Sequence, residues 1–491
     1  MLLSELLRSA GYTAASVADR EITGVTSNSR NVQTGALFVA IRGLRQDGCR
    51  YVGDALKRGA RFAVCEREVR GIDALVVEDA REALARLCDA WYGHPAKDLK
   101  LIGITGTNGK TSTASMLYHI LRRRGDSCGL IGTVECLLNG EPLQSGSVDP
   151  LANMTTPDPE QLYRLLAAMR DGGAEYVVME VTSHALMLSK VCPLRFTRGV
   201  FTNLTEDHLD LHGDMEAYFF EKRKLFEQSD GAVISCLSPY GERLADMQEI
   251  PLWRVDGESV GEIVKLGAQG VECTIRVGDA PPMRLFIPVP GDFSVENGAL
   301  AAITAMSLGV DAKTVQGAFF SFEGVCGRMQ RICENPLGFS VFLDYAHTPD
   351  ALEKLLRTVR GFAGAEQRIL LLFGCGGDRD RGKRAEMGRI ASALADIVIL
   401  TSDNCRFEDP KEILREVLKG IDKEKRYRVI EDRRTAIEYA IGIARRGDIL
   451  LLAGKGHEEY EIRGGARLPF SEKQIVEACV ERRLREEKDA H

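Results

Sequence analysis

The sequence predicts an α/β fold in three domains, and three observations support that prediction. At about 150 residues per domain, a chain of 491 residues would form roughly three domains, each large enough to bury its own core. Apolar, β-branched segments alternate with helical segments along most of the chain, which is typical of buried parallel sheets. The composition, with 44% hydrophobic and 27% charged residues, is that of an ordinary globular protein.

Composition and the N-terminal segment narrow the range of partners and locations. The net charge of -7 provides no basic face for nucleic acid. The 13 cysteines are odd in number and contain no C-x-x-C pair, so they indicate neither a disulfide framework nor a zinc site. The segment MLLSELLRSAGY carries Glu5 and Arg8 inside its apolar run and predicts a short amphipathic helix, not a secretory signal. We expect a cytoplasmic monomer that binds neither nucleic acid nor a membrane.

The first two predicted domains both combine strands with helices. Residues 1–98 alternate short strands and helices and end in the linker-like string HPAKDL, which predicts a small α/β domain. Residues 99–331 contain the buried strands LIGIT, EYVVMEV, RGVFTNL and GAVISC with helical stretches between them, which predicts a parallel sheet. The alternating segments VECTIRV and MRLFIPV predict antiparallel strands appended to that sheet.

The third predicted domain, residues 332–491, repeats a strand-then-helix pattern. Its five strand segments are SVFLDYA, RILLLFGCGG, DIVILTSDN, RYRVIED and DILLLAGKG. The pattern predicts a second doubly wound sheet, and such sheets bind ligands at the carboxyl ends of their strands.

The string LIGITGTNGKT, Leu101 to Thr111, predicts a nucleotide site between a strand and a helix. Gly106 and Gly109 have no side chains to block approach, so backbone N–H groups can surround phosphate oxygens. Lys110 would neutralise phosphate charge, the Thr111 hydroxyl would ligate Mg²⁺, and the following helix would point its positive end at the anion. Ile104 stands where the general P-loop has its first glycine, so the motif is a variant with its own spacing. The alternative is a glycine-rich connection without a ligand.

Other polar residues follow predicted strands, and spacing alone leaves their roles open. Glu180 ends the strand YVVME and His208 lies in FTNLTEDHLDLHGD, so the two could share a metal ion or could each be structural. Asp344 and His347 stand at a strand end before a helix. The string GCGGDRDRGKR has the composition of an anion site or of an exposed basic loop.

Several strings together resemble one protein family, the Mur ligases of peptidoglycan synthesis. The strings are TGTNGKT, MEVTSHAL, FTNLTEDHLDLHGDMEAY, CGRMQ, LDYAHTPDAL and GCGGDRDRGKR, and the resemblance runs from GVTSNSR to AGKGHEEYE. It implies an N-terminal domain for the UDP end of the substrate, a central P-loop ATPase with a parallel sheet, and a C-terminal Rossmann-like domain that binds the incoming amino acid.

The resemblance implies ATP and Mg²⁺ as cofactors and assigns residues to them. The implied ATP contacts are Gly106, Thr107, Asn108, Gly109, Lys110, Thr111, Asn297, Arg328 and Asp344. The implied metal ligands are Thr111, Glu180, His208 and Lys222, the last after carbamylation. Catalytic roles are implied for Lys110, Lys222 and His208.

The resemblance also implies the two substrates to be joined. The string SDNCRFEDP is similar to the DNPR motif of members that add meso-diaminopimelate, with Cys405 in place of proline. An arginine can hold the second carboxylate of that diamino acid by a bidentate hydrogen bond. The implied diaminopimelate contacts are Arg379, Asp403, Asn404, Arg406, Gly454 and Glu458. The implied contacts of UDP-N-acetylmuramoyl-L-alanyl-D-glutamate are Ser29, Thr155, Thr156, Thr182 and Lys190, with lysine at 190 where arginine is usual.

The reaction implied is amide formation through an acyl phosphate. Three alternatives remain open from the sequence: an L-lysine-adding ligase of the same family, a folate polyglutamate ligase, and a regulatory protein that binds ATP and joins nothing. The retained Arg406 favours diaminopimelate over lysine.

Overall fold

A computed structural model describes residues 1–13, 18–43, 46–143, 154–207, 209–278, 280–334 and 336–489. The chain forms two compact units. The first unit comprises Met1–Val260 and Glu296–Ala318, and the second comprises Gly261–Val295 and Phe319–His491. The architecture is α/β, as predicted. The division into three domains at residues 98 and 331 stays a prediction. No helix among the described residues is long and apolar enough to cross a membrane.

The N-terminal part of the first unit is a four-stranded parallel sheet in the order β1-β2-β3-β4. Its strands are β1 (Val25–Thr26), β2 (Leu37–Val39), β3 (Phe62–Cys65) and β4 (Ala74–Val76), and its helices are α1 (Leu3–Ser9), α2 (Val52–Lys57) and α3 (Ala80–Trp91). Helix α1 buries Leu3, Leu6 and Leu7 on one face, which confirms the predicted amphipathic helix.

The rest of the first unit is built on an eight-stranded sheet in the order β12-β11-β10-β5-β9-β6-β7-β8. The strands are β5 (Lys100–Thr105), β6 (Cys128–Ile131), β7 (Cys136–Leu138), β8 (Glu141–Pro142), β9 (Tyr176–Glu180), β10 (Arg198–Phe201), β11 (Ala232–Ser235) and β12 (Leu252–Val255). Strands β12 to β6 in that order are parallel, whereas β7 and β8 add an antiparallel edge. The four strand segments predicted for this sheet are all present.

Strand β5 lies at the centre of this sheet, between β9 and β10. The chain continues from β5 to one side of the sheet and later returns to the other side, and ligands bind at such switch points. The accompanying helices are α4 (Lys110–Arg124), α5 (Pro159–Asp171), α6 (Ser183–Met187), α7 (Leu209–His212), α8 (Met215–Glu227), α9 (Pro239–Asp246), α10 (Phe293–Ser307) and α11 (Ala312–Phe320).

The second unit contains a three-stranded sheet, a six-stranded sheet and a hairpin. The three-stranded sheet is formed by β13 (Val260–Gly267), β14 (Gly270–Ile275) and β15 (Met283–Ile287). Strands β14 and β15 are antiparallel, as the alternation of VECTIRV and MRLFIPV predicts.

The six-stranded sheet has the order β16-β17-β21-β18-β19-β20, with only β16 antiparallel to its neighbour among these described strands. The strands are β16 (Gln330–Glu334), β17 (Ser340–Asp344), β18 (Ile369–Phe373), β19 (Ile397–Leu400), β20 (Tyr427–Val429) and β21 (Ile449–Ala453), and β22 (Tyr460–Arg463) pairs with β23 (Ala466–Pro469). The helices are α12 (Pro349–Phe362), α13 (Gly382–Leu394), α14 (Pro410–Leu418), α15 (Arg433–Ile443) and α16 (Glu472–Asp489). The five predicted strands of the third segment are confirmed.

Candidate active site

The loop between β5 and α4 has a backbone that only glycine can adopt at two positions. Gly106 has φ 149° and Gly109 has φ 84°, a region that other residues rarely enter. A Cβ atom at Gly106 would collide with the Thr202 hydroxyl, and one at Gly109 would collide with the Asn297 side-chain oxygen. The loop backbone is therefore packed closely on one side, in the manner of a phosphate-binding turn.

The segment that follows β10 holds this loop in place. The Thr202 hydroxyl donates to the Asn108 carbonyl oxygen at 2.6 Å, and the Asn203 side-chain oxygen accepts from the Asn108 N–H at 3.0 Å. The Thr107 hydroxyl oxygen accepts from the Thr205 N–H at 3.0 Å. No individual roles were predicted from the sequence for these residues of FTNLT. Their signal is a run of hydroxyl and amide side chains directly after a buried strand.

Two lysine side-chain nitrogens converge on the same loop carbonyl oxygen. Lys110 Nζ donates to the carbonyl oxygens of Gly106 and Thr107, each at 2.9 Å. Lys222 Nζ, from α8, donates to the Gly106 oxygen at 2.8 Å. Burial, together with the nearby charge of Lys110, lowers the pKa of Lys222 well below its usual value. The loop thus carries one lysine suited to an anion and a second whose neutral form is favoured.

Glu180, at the end of β9, accepts hydrogen bonds on both carboxylate oxygens. The Thr111 hydroxyl donates to Oε2 at 3.0 Å, and the Thr133 N–H donates to Oε1 at 2.8 Å. A hydroxyl and a carboxylate side by side are the oxygen donors that Mg²⁺ prefers, so these residues fit that ion. His208 lies outside the described residues. Among the described residues no cluster of three or more His, Cys, Asp or Glu side chains could hold a metal ion.

A series of hydroxyl groups connects Glu180 to the predicted muramoyl-dipeptide residues. The Thr133 hydroxyl donates to the Thr155 hydroxyl at 2.9 Å. The Thr156 hydroxyl donates to the Glu180 carbonyl oxygen at 2.9 Å and accepts from the Thr182 N–H at 3.0 Å. Three of the five predicted UDP-substrate residues are therefore gathered at the end of β9.

The remaining two predicted UDP-substrate residues occupy different elements. Lys190 is buried, and its Nζ lies 2.8 Å from Asp158 Oδ1 and 3.4 Å from the Thr156 carbonyl oxygen. Ser29 is half-buried in the turn that follows β1, on the N-terminal sheet.

The predicted ATP contacts beyond the loop are divided between the two units. In the first unit, Asn297 of α10 accepts a hydrogen bond from the Thr113 hydroxyl at 3.4 Å. In the second unit, the Arg328 guanidinium lies 4.9 Å from the centre of the Tyr345 ring. Asp344 accepts from the Ala346 N–H at 2.8 Å, and burial raises the pKa of Asp344 although Arg328 opposes that rise.

In the second unit, four predicted amino-acid contacts meet at the carboxyl ends of β19 and β21. The Asn404 amide donates to Glu458 Oε2 at 2.7 Å and accepts from Lys455 Nζ at 3.0 Å. Gly454 has φ 111°, and a Cβ atom there would lie 2.7 Å from Asp403 Oδ2. The glycine is thus required beside the Asp403 carboxylate.

Arg406 is held in a left-handed backbone conformation, with φ 52°. Its Nη1 donates to the Gly377 carbonyl oxygen at 2.8 Å, and its backbone N–H donates to the Ile462 oxygen at 3.0 Å. Cys405, which replaces proline, is buried, and its Sγ lies 3.8 Å from the same Ile462 oxygen. Arg379 is exposed in the loop after β18.

Three family models match successive parts of the chain. They are described as Mur ligase family, catalytic domain, over residues 21–92; Mur ligase middle domain, over residues 104–306; and Mur ligase, glutamate ligase domain, over residues 327–456. A relative from Clostridium botulinum, named UDP-N-acetylmuramoyl-L-alanyl-D-glutamate–2,6-diaminopimelate ligase, is 38% identical over 98% of this chain and 99% of its own. The chain belongs to the Mur ligase family.

Further comparisons place this Mur ligase among amide-forming enzymes. A Chlorobaculum tepidum protein of the same name is 42% identical and covers 93% of this chain and 92% of its own. A solved structure with that name aligns with a TM-score of 0.67 and 29% identity over 94% of this chain and 95% of its own. A folylpolyglutamate synthase from Mycobacterium tuberculosis, at 19% identity and a TM-score of 0.63 over 82% of this chain and 95% of its own, shares the fold. This Mur ligase is an ATP-dependent enzyme that forms amide bonds.

Carboxylates and cations lie close together at the β19 and β21 ends of this Mur ligase. Although burial acts to raise the pKa of Asp403, the cations Lys455 and Arg433 lower it. Burial raises the pKa of Glu458, while Lys455 opposes the rise. Lys455, which was not predicted from the sequence, is fully buried with its Nζ 3.5 Å from Asp403 Oδ1. Its signal was a lysine within GKGHE, directly after an apolar strand.

Proposed function

We propose that this Mur ligase joins meso-diaminopimelate to the γ-carboxylate of the D-glutamate in UDP-N-acetylmuramoyl-L-alanyl-D-glutamate, using ATP. The observation that carries the proposal is the cluster of Asp403, Asn404, Gly454 and Glu458 in the second unit, with Arg406 on the adjoining turn. Relatives whose names contain both substrates align with nearly the whole chain.

In the first half of the reaction, the substrate carboxylate attacks the γ-phosphorus of ATP, an acyl phosphate forms and ADP leaves. Lys110 is suited to neutralise the charge that collects on the transferring phosphoryl group, because its Nζ already lies at the loop carbonyls. A bound Mg²⁺, held by Thr111 and Glu180, would supply further neutralisation of phosphate charge. The backbone of the loop orients the phosphates, so catalysis depends on positioning and electrostatics, without a protein nucleophile.

In the second half, the neutral amine of the diamino acid attacks the acyl phosphate carbonyl. A tetrahedral intermediate forms, and inorganic phosphate leaves with the proton that the nitrogen loses as the amide is completed. Glu458 and Asp403 provide carboxylates for an ammonium group of the diamino acid. Arg406 provides a planar guanidinium for the second carboxylate of meso-diaminopimelate. The alternative substrate L-lysine has no such carboxylate.

Lys222 is proposed to act as a carbamate. Its neutral amine nitrogen would add to the carbon of CO₂ and release one proton to solvent, which turns a buried amine into an anion. The position of Nζ at the Gly106 oxygen supports this role, because an anion there lies next to the loop where Mg²⁺ is needed.

The test measures phosphate release and peptide product with ATP, Mg²⁺ and UDP-N-acetylmuramoyl-L-alanyl-D-glutamate, with either meso-diaminopimelate or L-lysine. We expect diaminopimelate to be strongly preferred. Arg406→Ala should lose most of that preference, roughly 1.5–3 kcal/mol for hydrogen bonds to a charged group, or about a tenfold to a hundredfold change in selectivity. Arg406→Lys is the matched control, because it keeps the charge but not the bidentate geometry.

Each contrary outcome identifies a different alternative. Equal or greater use of lysine would mean that Cys405 has remade the amino-acid site. Product with a tetrahydrofolate and glutamate instead would indicate a folate polyglutamate ligase. ATP binding without amide product from any acceptor would indicate a regulatory protein.

A further inference from the structure

Glu160, in the first turn of α5, binds the start of a turn on the N-terminal sheet. Its Oε1 accepts from the Ser27 N–H at 2.6 Å and from the Ser27 hydroxyl at 2.8 Å. Its Oε2 accepts from the Thr26 hydroxyl at 3.1 Å. An ionised carboxylate only accepts hydrogen bonds, so its two oxygens are well matched to the three donors of Thr26 and Ser27. All three residues belong to the first unit.

The other end of the segment that carries Glu160 is fixed at the phosphate side of the sheet. Thr155 and Thr156 make the contacts to Thr133 and to the Glu180 carbonyl oxygen described above. Residues 155–160 therefore join the end of β9 to the turn after β1. The two regions lie far apart in sequence, and this short segment bonds to both.

The turn after β1 makes its own local hydrogen bonds without Glu160. The Asn28 N–H donates to the Thr26 hydroxyl oxygen at 3.2 Å, and the Arg30 N–H donates to the Asn28 side-chain oxygen at 3.0 Å. These bonds are sufficient to define a turn of this kind. The Glu160 bonds add an anchor between two distant elements, which a purely local turn does not require.

We propose that Glu160 is a positioning residue that fixes the nucleoside diphosphate end of the acceptor relative to the end that reacts. This rests on the proposed function and on the acceptor contacts that the family resemblance implies. Those contacts are Ser29, in the anchored turn, on the uracil side, and Thr155 and Thr156 on the muramoyl-dipeptide side. Binding energy from the remote end of a long substrate helps catalysis only when that end is held at a fixed position relative to the reacting group. Glu160 fixes that position through its hydrogen bonds with Thr26 and Ser27.

The experiment compares wild type, Glu160→Ala and Glu160→Gln in steady-state kinetics. In Glu160→Ala the KM for the UDP-linked acceptor should rise roughly tenfold or more, while the KM values for ATP and diaminopimelate stay within about twofold. Glu160→Gln should give a smaller rise, because its amide keeps one acceptor oxygen but presents an NH₂ group to the same donors. Glu175→Gln is the matched control, since that exposed carboxylate of the first unit pairs with Lys100 at 2.7 Å on the surface.

A second measurement separates this proposal from the proposed function. Titration of UDP alone, followed by calorimetry, should give weaker binding to Glu160→Ala than to wild type and to Glu175→Gln, whether or not any amide is formed. Unchanged UDP binding in Glu160→Ala, or undetectable UDP binding to wild type, would overturn the positioning role. A parallel rise in all three KM values would do the same, because it would indicate a general structural effect. Weakened UDP binding in an enzyme that makes no amide would retain the anchor and reject the ligase.

Discussion

Lys110 is the residue on which phosphoryl transfer should depend most directly. Its Nζ already lies 2.9 Å from two carbonyl oxygens of the phosphate loop, and phosphate oxygens could take over these contacts. We predict that Lys110→Ala abolishes ATP-dependent ligation. The turnover rate should fall at least about a hundredfold, which is the effect of removing one preorganised electrostatic contact to the transition state. The check is phosphate release under saturating substrates.

A matched control for that variant is Lys100→Ala. Lys100 stands at the start of β5 and pairs with Glu175 on the surface, so its loss should leave turnover nearly unchanged. Normal ligation by Lys110→Ala would remove the phosphate loop from the mechanism.

Lys222 should exist as a carbamate in the working enzyme. Burial, together with the charge of Lys110, lowers the pKa of its amine, which favours the neutral form that adds to CO₂. We predict a carbamate signal in magnetic resonance spectra recorded with isotopically labelled bicarbonate. The signal should be absent from Lys222→Ala, and the activity of that variant should fall by a factor on the order of a hundred.

Lys222→Arg provides the control for the carbamate, because a guanidinium keeps the positive charge and does not lose its proton. An identical labelled signal in that variant would assign the carbamate to another lysine.

At the scale of elements, one buried arginine joins two loops at the carboxyl ends of the strands of the six-stranded sheet. Arg384, in α13, donates to the Gly376 carbonyl oxygen at 3.1 Å and to both Glu408 oxygens at 3.0 Å. Its Nη1 also lies 2.7 Å from Glu416 Oε2 in α14. The glycine-rich loop after β18 and the turn that carries Arg406 therefore share a single charged centre.

That centre should make the second unit sensitive to acid. Hydrogen bonds from Arg384 lower the pKa of Glu408 from 4.5 to about 2. A depressed carboxyl pKa contributes stability that is fully present above pH 4.5 and is lost as pH falls towards about 2. We predict that wild type loses thermal stability over this window more steeply than Glu408→Gln, which should already be less stable at neutral pH by roughly 1.5–3 kcal/mol.

The measurement is the melting temperature as a function of pH. Glu386→Gln is the control, since Glu386 pairs with Arg389 on an exposed face of α13, the helix that carries Arg384. Such exposed pairs contribute little to stability. If Glu408→Gln and wild type lose stability in parallel on acidification, the shared centre does not stabilise the loops.

Within single elements, the sequence predicted what depends on local pattern. The apolar run DILLLAGKG predicted β21, and LIGITGTNGKT predicted the strand, turn and helix of the phosphate loop, because burial and glycine conformation act on neighbouring residues. The roles of Thr202, Lys455 and Glu160 were not predicted, because each role is a contact between elements that the chain brings together from a distance.

At the scale of the whole molecule, the α/β class and the parallel strands of the eight- and six-stranded sheets follow from periodicity, whereas strand order does not. Nothing in the string DILLLAGKG indicates that β21 is inserted between β17 and β18. The antiparallel edges β7, β8 and β16 were also not predicted. These strands are short or lie at the margin of their sheets, where the apolar signal is weak. Monomeric state and cytoplasmic location stay predictions.

The position of β21 has a consequence for how the protein is made in the cell. Ribosomes deliver the chain from its N-terminus, yet the strand that joins β17 to β18 is Ile449–Ala453, which comes after β18, β19 and β20 in the chain. Until those residues emerge, β17 and β18 present open, apolar strand edges that invite pairing with other chains. The six-stranded sheet can therefore close only after Ala453 has been synthesised. Chains terminated before that residue should be prone to aggregation and need chaperones.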